Sequence, residues 1–134
     1  MSYCNERNFS ELKGKIITSI DGLRKNEELI TFTCQDGSEY QMYHDQDCCE
    51  NVNIDDVIGD AEDLIGYEIL IAEKRTSEKN PPDYQGDTKW QESFTWTFYE
   101  LATIKGSVTI RWYGESNGYY SEDVSFIQTK EVVK

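Results

Sequence analysis

Apolar residues recur at every second position through much of this chain, which is the period of a half-buried β-strand. Lys15 to Ile20 reads as a first strand, Leu29 to Cys34 as a second and Tyr40 to His44 as a third. Between the last two, Gln35-Asp36-Gly37 fits a three-residue hairpin loop, a type I turn closed by a left-handed glycine. That loop sets Cys34 opposite Ser38, Phe32 opposite Tyr40 and Ile30 opposite Met42, so apolar side chains meet on one face. A two-residue turn would slip the register by one and destroy the match.

Further along, Val57, Ile58, Ala61, Leu64 and Ile65 fall on one stripe at helical spacing. Asp55 is placed to cap its start and Gly66 to end it, which predicts a short helix over Asp55 to Ile65, with Gly59 as its weak point. Glu68 to Glu73 reads as a strand. Thr76 to Lys89, with Pro81-Pro82 and Gly86, reads as an exposed loop. Glu92 to Thr103, Ser107 to Tyr113 and Tyr120 to Ile127 complete the set. Ser116-Asn117-Gly118 predicts a second three-residue hairpin, with Ile110 facing Val124, Val108 facing Phe126 and Arg111 facing Asp123. One register of the turn at Lys105-Gly106 would extend this into a Glu100–Arg111–Asp123 ladder. The expected fold is therefore α+β: a mainly antiparallel sheet of about seven strands, curved enough to approach a barrel, with one short helix packed on it. Residues 1–134 form a single domain, with 1–8 and 129–134 frayed.

Composition supports a real core. The hydrophobic fraction is only 37%, but 3 Trp, 9 Tyr and 5 Phe supply a large apolar area per residue. No apolar run is long enough for a membrane helix, and the first residues lack the apolar centre of a signal peptide, so the expected compartment is the cytosol and the expected state of Cys4, Cys34, Cys48 and Cys49 is the free thiol.

Charge changes the picture most. The net charge is −13, and it is concentrated: residues 26–73 carry 14 acids and no Lys or Arg, while the rest of the chain holds 12 acids and 13 bases. Such a surface repels nucleic acid and anionic lipid and attracts basic partners. Asp45, Asp47, Glu50, Asp55, Asp56, Asp60, Glu62 and Asp63 are its candidate partner-binding residues, able to imitate a phosphate array. The plain alternative is that this charge serves only to keep the protein in solution.

Two segments invite chemistry. Tyr43 to Glu50 holds the one histidine, His44, beside Cys48 and Cys49. Adjacent cysteines on a strand point to opposite faces and no Cys-x-x-Cys partner exists, so no metal centre and no cofactor are predicted. A Cys–His44 dyad lacks a recognisable third group. A turn with His44 packed inside accounts for the segment equally well. The second segment, Arg111 to Tyr120, mixes rings with polar groups. With His44, the residues Arg111, Trp112, Tyr113, Glu115, Asn117, Tyr119 and Tyr120 form a candidate ligand site in which a base could stack and a phosphate pair with Arg111.

YHDQDCCE at 43–50, DLIG at 63–66, WTFYELATIKG at 96–106 and RWYGESNGYY at 111–120 together resemble a family of small uncharacterised proteins of bacteriophages and prophages, over about Phe9 to Ile127. No catalytic residues come with the resemblance. It implies a protein at work in the cytoplasm of an infected bacterium. The reading that follows is an anti-defence or host-takeover protein, not an enzyme, which binds stoichiometrically to a basic nucleic-acid-binding host protein such as a CRISPR effector. It would touch neither nucleic acid nor membrane, and it could self-associate. A nucleotide-signal sponge is the first alternative. A metal- or Cys/His-dependent enzyme is the second.

Overall fold

The structure of the chain is a computed structural model that describes residues 6–46, 49–80, 82, 93–118 and 121–133. Eight strands form two four-stranded sheets. They are β1 (Ile17–Asp21), β2 (Leu29–Cys34), β3 (Glu39–Tyr43), β4 (Asn51–Ile58), β5 (Ile71–Ser77), β6 (Ser93–Thr103), β7 (Gly106–Ser116) and β8 (Ser125–Lys130). The first sheet runs β1-β2-β3-β8 and the second β4-β7-β6-β5, with every neighbouring pair antiparallel. The architecture is two stacked open sheets rather than a closed barrel.

Alternation along each strand builds the core. Ile30, Phe32, Tyr40, Met42 and Phe126 point inward from the first sheet, and Ile54, Tyr99, Leu101, Val108, Ile110 and Trp112 from the second. Trp112 Nε1 donates to Met42 Sδ at 3.2 Å, a direct tie between layers. Phe9, on a 3-10 turn over Phe9–Leu12, reaches both sheets, its ring 4.7 Å from that of Tyr99 and 5.4 Å from that of Phe126.

The β2–β3 hairpin has the predicted register, Ile30 against Met42 and Phe32 against Tyr40, with Gly37 at φ +89°. Lys15 Nζ lies 2.6 Å from Asp36 Oδ2, and Ser38 donates to Asp36 Oδ1 through its hydroxyl at 2.5 Å and its amide at 3.0 Å. Burial alone would raise the Asp36 carboxyl, but these donors outweigh it and hold its pKa at about 2. The C-terminal segment also docks here, Val133 N donating to Asp36 O at 2.8 Å. Residues 129–130 lie in β8, and Glu6 bridges to Ile127; residues 1–5 and 134 lie outside the described residues.

Three expectations fail. No α-helix occurs among the described residues. Asp55 and Asp56 lie on β4, followed by a 3-10 turn over Ala61–Leu64 that Asp60 caps through the Glu62 amide. A bulge between Ile54 and Asp56 brings Val57 to the inner face, and this shift imitates a helical stripe. Gly59, at φ +116°, cannot be helical. The predicted β7–β8 hairpin is also absent. Gly118 does turn left-handed at φ +93°, but the chain then crosses to the first sheet, where β8 pairs with β3. Arg111 therefore faces Phe98 and Asp56, not Glu100 or Asp123. The β6–β7 turn is two residues tighter than the ladder requires, with Thr103 paired to Gly106. Finally, β5 runs to Ser77, so the loop predicted from Thr76 begins later, and residues 81 and 83–92 lie outside the described residues.

The depressed Asp36 carboxyl contributes stability that is complete above its unfolded pKa of 3.8 and disappears as pH falls toward 2. Acid titration of stability should show this loss in the native chain and a flatter profile in Asp36→Asn. Gly37→Ala should cost at least ~1 kcal/mol in urea unfolding, since its backbone is left-handed and the new Cβ would collide with Val133.

Candidate functional site: a buried histidine clamp and a divided aromatic face

Two crossovers meet at one end of the sandwich. The chain leaves β3 for β4 through residues 44–50, and leaves β7 for β8 through residues 117–124. His44 joins them. Its Nδ1 lies 2.6 Å from the Asp123 carbonyl oxygen and its Nε2 2.8 Å from Glu50 Oε2. The side chains of His44 and Glu50 are 4% and 0% exposed. Gln46 Nε2 donates to the Glu50 carbonyl at 2.7 Å and to its carboxylate at 3.3 Å. Nδ1 must carry a proton to serve a carbonyl, and a second proton must lie between Nε2 and Glu50. The pair is thus a buried hydrogen-bonded link between two backbone segments.

A second buried carboxylate, Glu122, stands beside it in sequence and accepts from Thr95 Oγ1 at 2.8 Å and Ser116 Oγ at 2.5 Å. Sequence reasoning missed Glu122. Its only signal is an acid two residues before the apolar Val124, in a segment that reads as a strand.

A cleft of about 630 Å³ opens where residues 44–52 pass the outer face of the first sheet, lined by Glu28, Leu29, Tyr43, His44, Gln46 and Glu50 among others. None of the described residues of 111–120 lines it.

The aromatic segment divides by strand alternation. Trp112 points into the core and is fully buried, so it is not a ligand residue. Arg111, Tyr113 and Glu115 face outward. Arg111 is committed to Asp55, with Nε at 2.9 Å and Nη2 at 2.7 Å from Oδ2, and its guanidinium stacks 5.3 Å from the Trp96 ring. Tyr113 packs 4.5 Å from Trp96 and donates to Glu115 at 2.9 Å. Asn117 is exposed, and Tyr119 and Tyr120 lie outside the described residues. His44 and the aromatic face are therefore separate features. The single ligand site assembled from them in sequence is not formed by the described residues.

The two described cysteines, Cys34 and Cys49, give His44 no nucleophile. Cys49 is disulfide-bonded, against the expectation of free thiols. Cys34 is free, but it is buried, and burial pushes its thiol up. It sits opposite Ser38 at the far end of β3, roughly 20 Å of strand from His44. Cys4 and Cys48 lie outside the described residues, which contain no group of three metal-ligating side chains.

The acidic block is also divided. Glu50 is buried, contrary to its predicted surface role. Flanking bases neutralise several others: Arg24 with Glu27, Lys15 with Asp36, Lys130 with Glu39 and Arg111 with Asp55. Asp47 lies outside the described residues. Asp45, Asp56, Asp60, Glu62 and Asp63 remain accessible and have no ion pair among the described residues.

Removing His44 strands a buried carboxylate, so His44→Ala should lose about 3–5 kcal/mol in urea unfolding. Adding Glu50→Gln should restore a substantial part of that loss. Additive effects in the double-mutant cycle would contradict the clamp.

The family model for a domain of unknown function (DUF7448) matches residues 10–126. No curated protein and no solved structure matches the chain. With residues 10–126 of its 134, His44, Glu50 and Asp123 among them, inside that match, the chain belongs to the DUF7448 family.

Proposed function

We propose that this chain is a stoichiometric binding protein whose acidic surface occupies the basic groove of a nucleic-acid-binding protein. The context suggested by its resemblance to phage proteins is a host defence machine, such as a CRISPR effector or a restriction enzyme, in the cytoplasm of an infected bacterium. One observation carries the reading. After internal pairing, the carboxylates of Asp56, Asp60, Glu62, Asp63 and Glu68 still have no cationic partner among the described residues, and they follow one another from the end of β4 toward β5. A run of uncompensated charge attracts a cationic groove and competes with phosphates for its Lys and Arg contacts.

Small-molecule binding is a second reading, and the 630 Å³ cleft beside His44 favours it. That volume suits a small ligand. The carboxylates of Glu28 and Glu50 repel phosphate, however, so the cleft favours a hydrogen-bond-donating or cationic molecule over a nucleotide signal.

Titrating the chain into a CRISPR effector or a restriction endonuclease should abolish DNA binding at a molar ratio near one. Affinity should fall roughly tenfold or more between 50 mM and 500 mM salt. Inhibition indifferent to salt would contradict charge mimicry. A thermal-shift screen of amines against nucleotides separates the second reading, since a ligand at 100 times its Kd adds about 2.7 kcal/mol.

A further inference from the structure

Uncompensated charge is not the only unusual feature of the chain between β4 and β5. Five of the large apolar side chains left exposed on the described surface, Ile58, Tyr67, Leu70, Ile71 and Ile104, gather around the β6–β7 turn. The backbone sets them at one end of the second sheet, Ile58 on one edge strand and Ile71 on the other. Ile58 pairs with Thr109 just beyond that turn, and Ile71 pairs with Ala102 just before it. Leu70 N donates to Ala102 O at 2.8 Å. Ile104 occupies the turn itself and is 80% exposed. Tyr67 lies beneath Lys105, whose ammonium is 5.4 Å from the ring centroid. Carboxylates flank the same turn: the Ala61–Leu64 segment, with Asp60 as its cap, packs on β6 and β7, and Thr103 Oγ1 donates to the Asp63 carbonyl. Glu68 bridges to Ile16 beside them.

An apolar cluster of this kind, rimmed by charge, marks a protein interface. The rim decides what fits. Asp60, Glu62, Asp63 and Glu68 outnumber Lys105, so a partner must bring cations around an apolar centre. We infer that this end of the sandwich is the docking face, and that its occupant is a protein segment with Lys or Arg side chains surrounding exposed aliphatic or aromatic residues. The inference rests on the acidic-binding reading and locates it. Apolar contacts at the turn give short-range affinity and register, while the carboxylates steer the encounter. The cleft at His44 lies at the opposite end of β7 and takes no part.

The test uses the intact ¹⁵N-labelled chain and two synthetic peptides of equal length and charge, one of Leu and Lys in amphipathic order and one of Ser and Lys. The Leu/Lys peptide should bind roughly tenfold or more tightly than its partner and should shift the amides of Ile58, Asp60, Glu62, Leu70, Ile71 and Ile104. Ile104→Ser and the Glu62→Gln/Glu68→Gln pair should each weaken it several-fold. These positions are exposed, and an unchanged circular dichroism spectrum verifies the fold. Equal affinity for the two peptides, or salt-sensitive binding whose shifts fall elsewhere and which ignores Ile104→Ser, overturns this face while leaving the acidic reading in place. Absence of salt-sensitive binding by either peptide overturns both.

Discussion

Trp112 sits where the two sheets press together, and its burial constrains what the rest of the molecule can present. Its strand, β7, is paired along its length to β4 on one side and β6 on the other. A strand held on both edges cannot rotate, so the alternation of its side chains is fixed. Val108, Ile110, Trp112 and Gly114 must face inward, and Arg111, Tyr113 and Glu115 must face out. Truncating a buried Trp typically costs about 3–5 kcal/mol, a large share of the stability of a domain this size. Gly114 serves the same constraint: a Cβ there would stand 2.9 Å from the Glu122 carbonyl oxygen and 3.0 Å from Val52 Cγ2, leaving no room for the returning crossover.

The two ends of this sandwich treat charge in opposite ways. At the crossover end, Glu50 and Glu122 are taken out of water, and each is surrounded by donors: His44 and Gln46 for one, Thr95 and Ser116 for the other. A buried carboxylate with its donors in place specifies a geometry, and one that loses a donor is costly. At the β6–β7 turn end the carboxylates stay in contact with solvent, without ion pairs among the described residues, beside exposed apolar residues. The acidity of the sequence is thus two things physically: an internal adhesive at one end and an uncompensated field at the other. Only the second is available to a partner.

Legibility in the sequence followed the same physics. The β2–β3 hairpin was readable to the residue pair because its turn chemistry and its alternation agree, and a single slip would turn Phe32 and Tyr40 to solvent. The β7–β8 hairpin was misread because Ile110 and Val108 meet the same kind of apolar partner whether β8 lies beside them in one sheet or opposite them across the core. Pattern alone does not separate those cases. The supposed helix arose from one bulged residue at Asp55, which is invisible to periodicity. Of the candidate site residues, His44 and Glu50 stand in one short segment of the sequence, but their partner Asp123 comes from a second crossover that only the fold brings beside them. Ile104 and Tyr67 gave no signal, because an isolated apolar residue in a loop is common and its gathering with others is a property of the fold.

The division of β7 into a buried and an exposed face depends on the inward position of Trp112, and proton NMR reads that position directly. The indole N–H of Trp112 should exchange slowly with water and show nuclear Overhauser contacts to the Met42 methyl group across the sheet interface. A Trp112 indole that exchanges freely, with contacts to Arg111 and Tyr113 instead, would place the wrong face of β7 in the core and contradict the arrangement on which the proposed docking end is built.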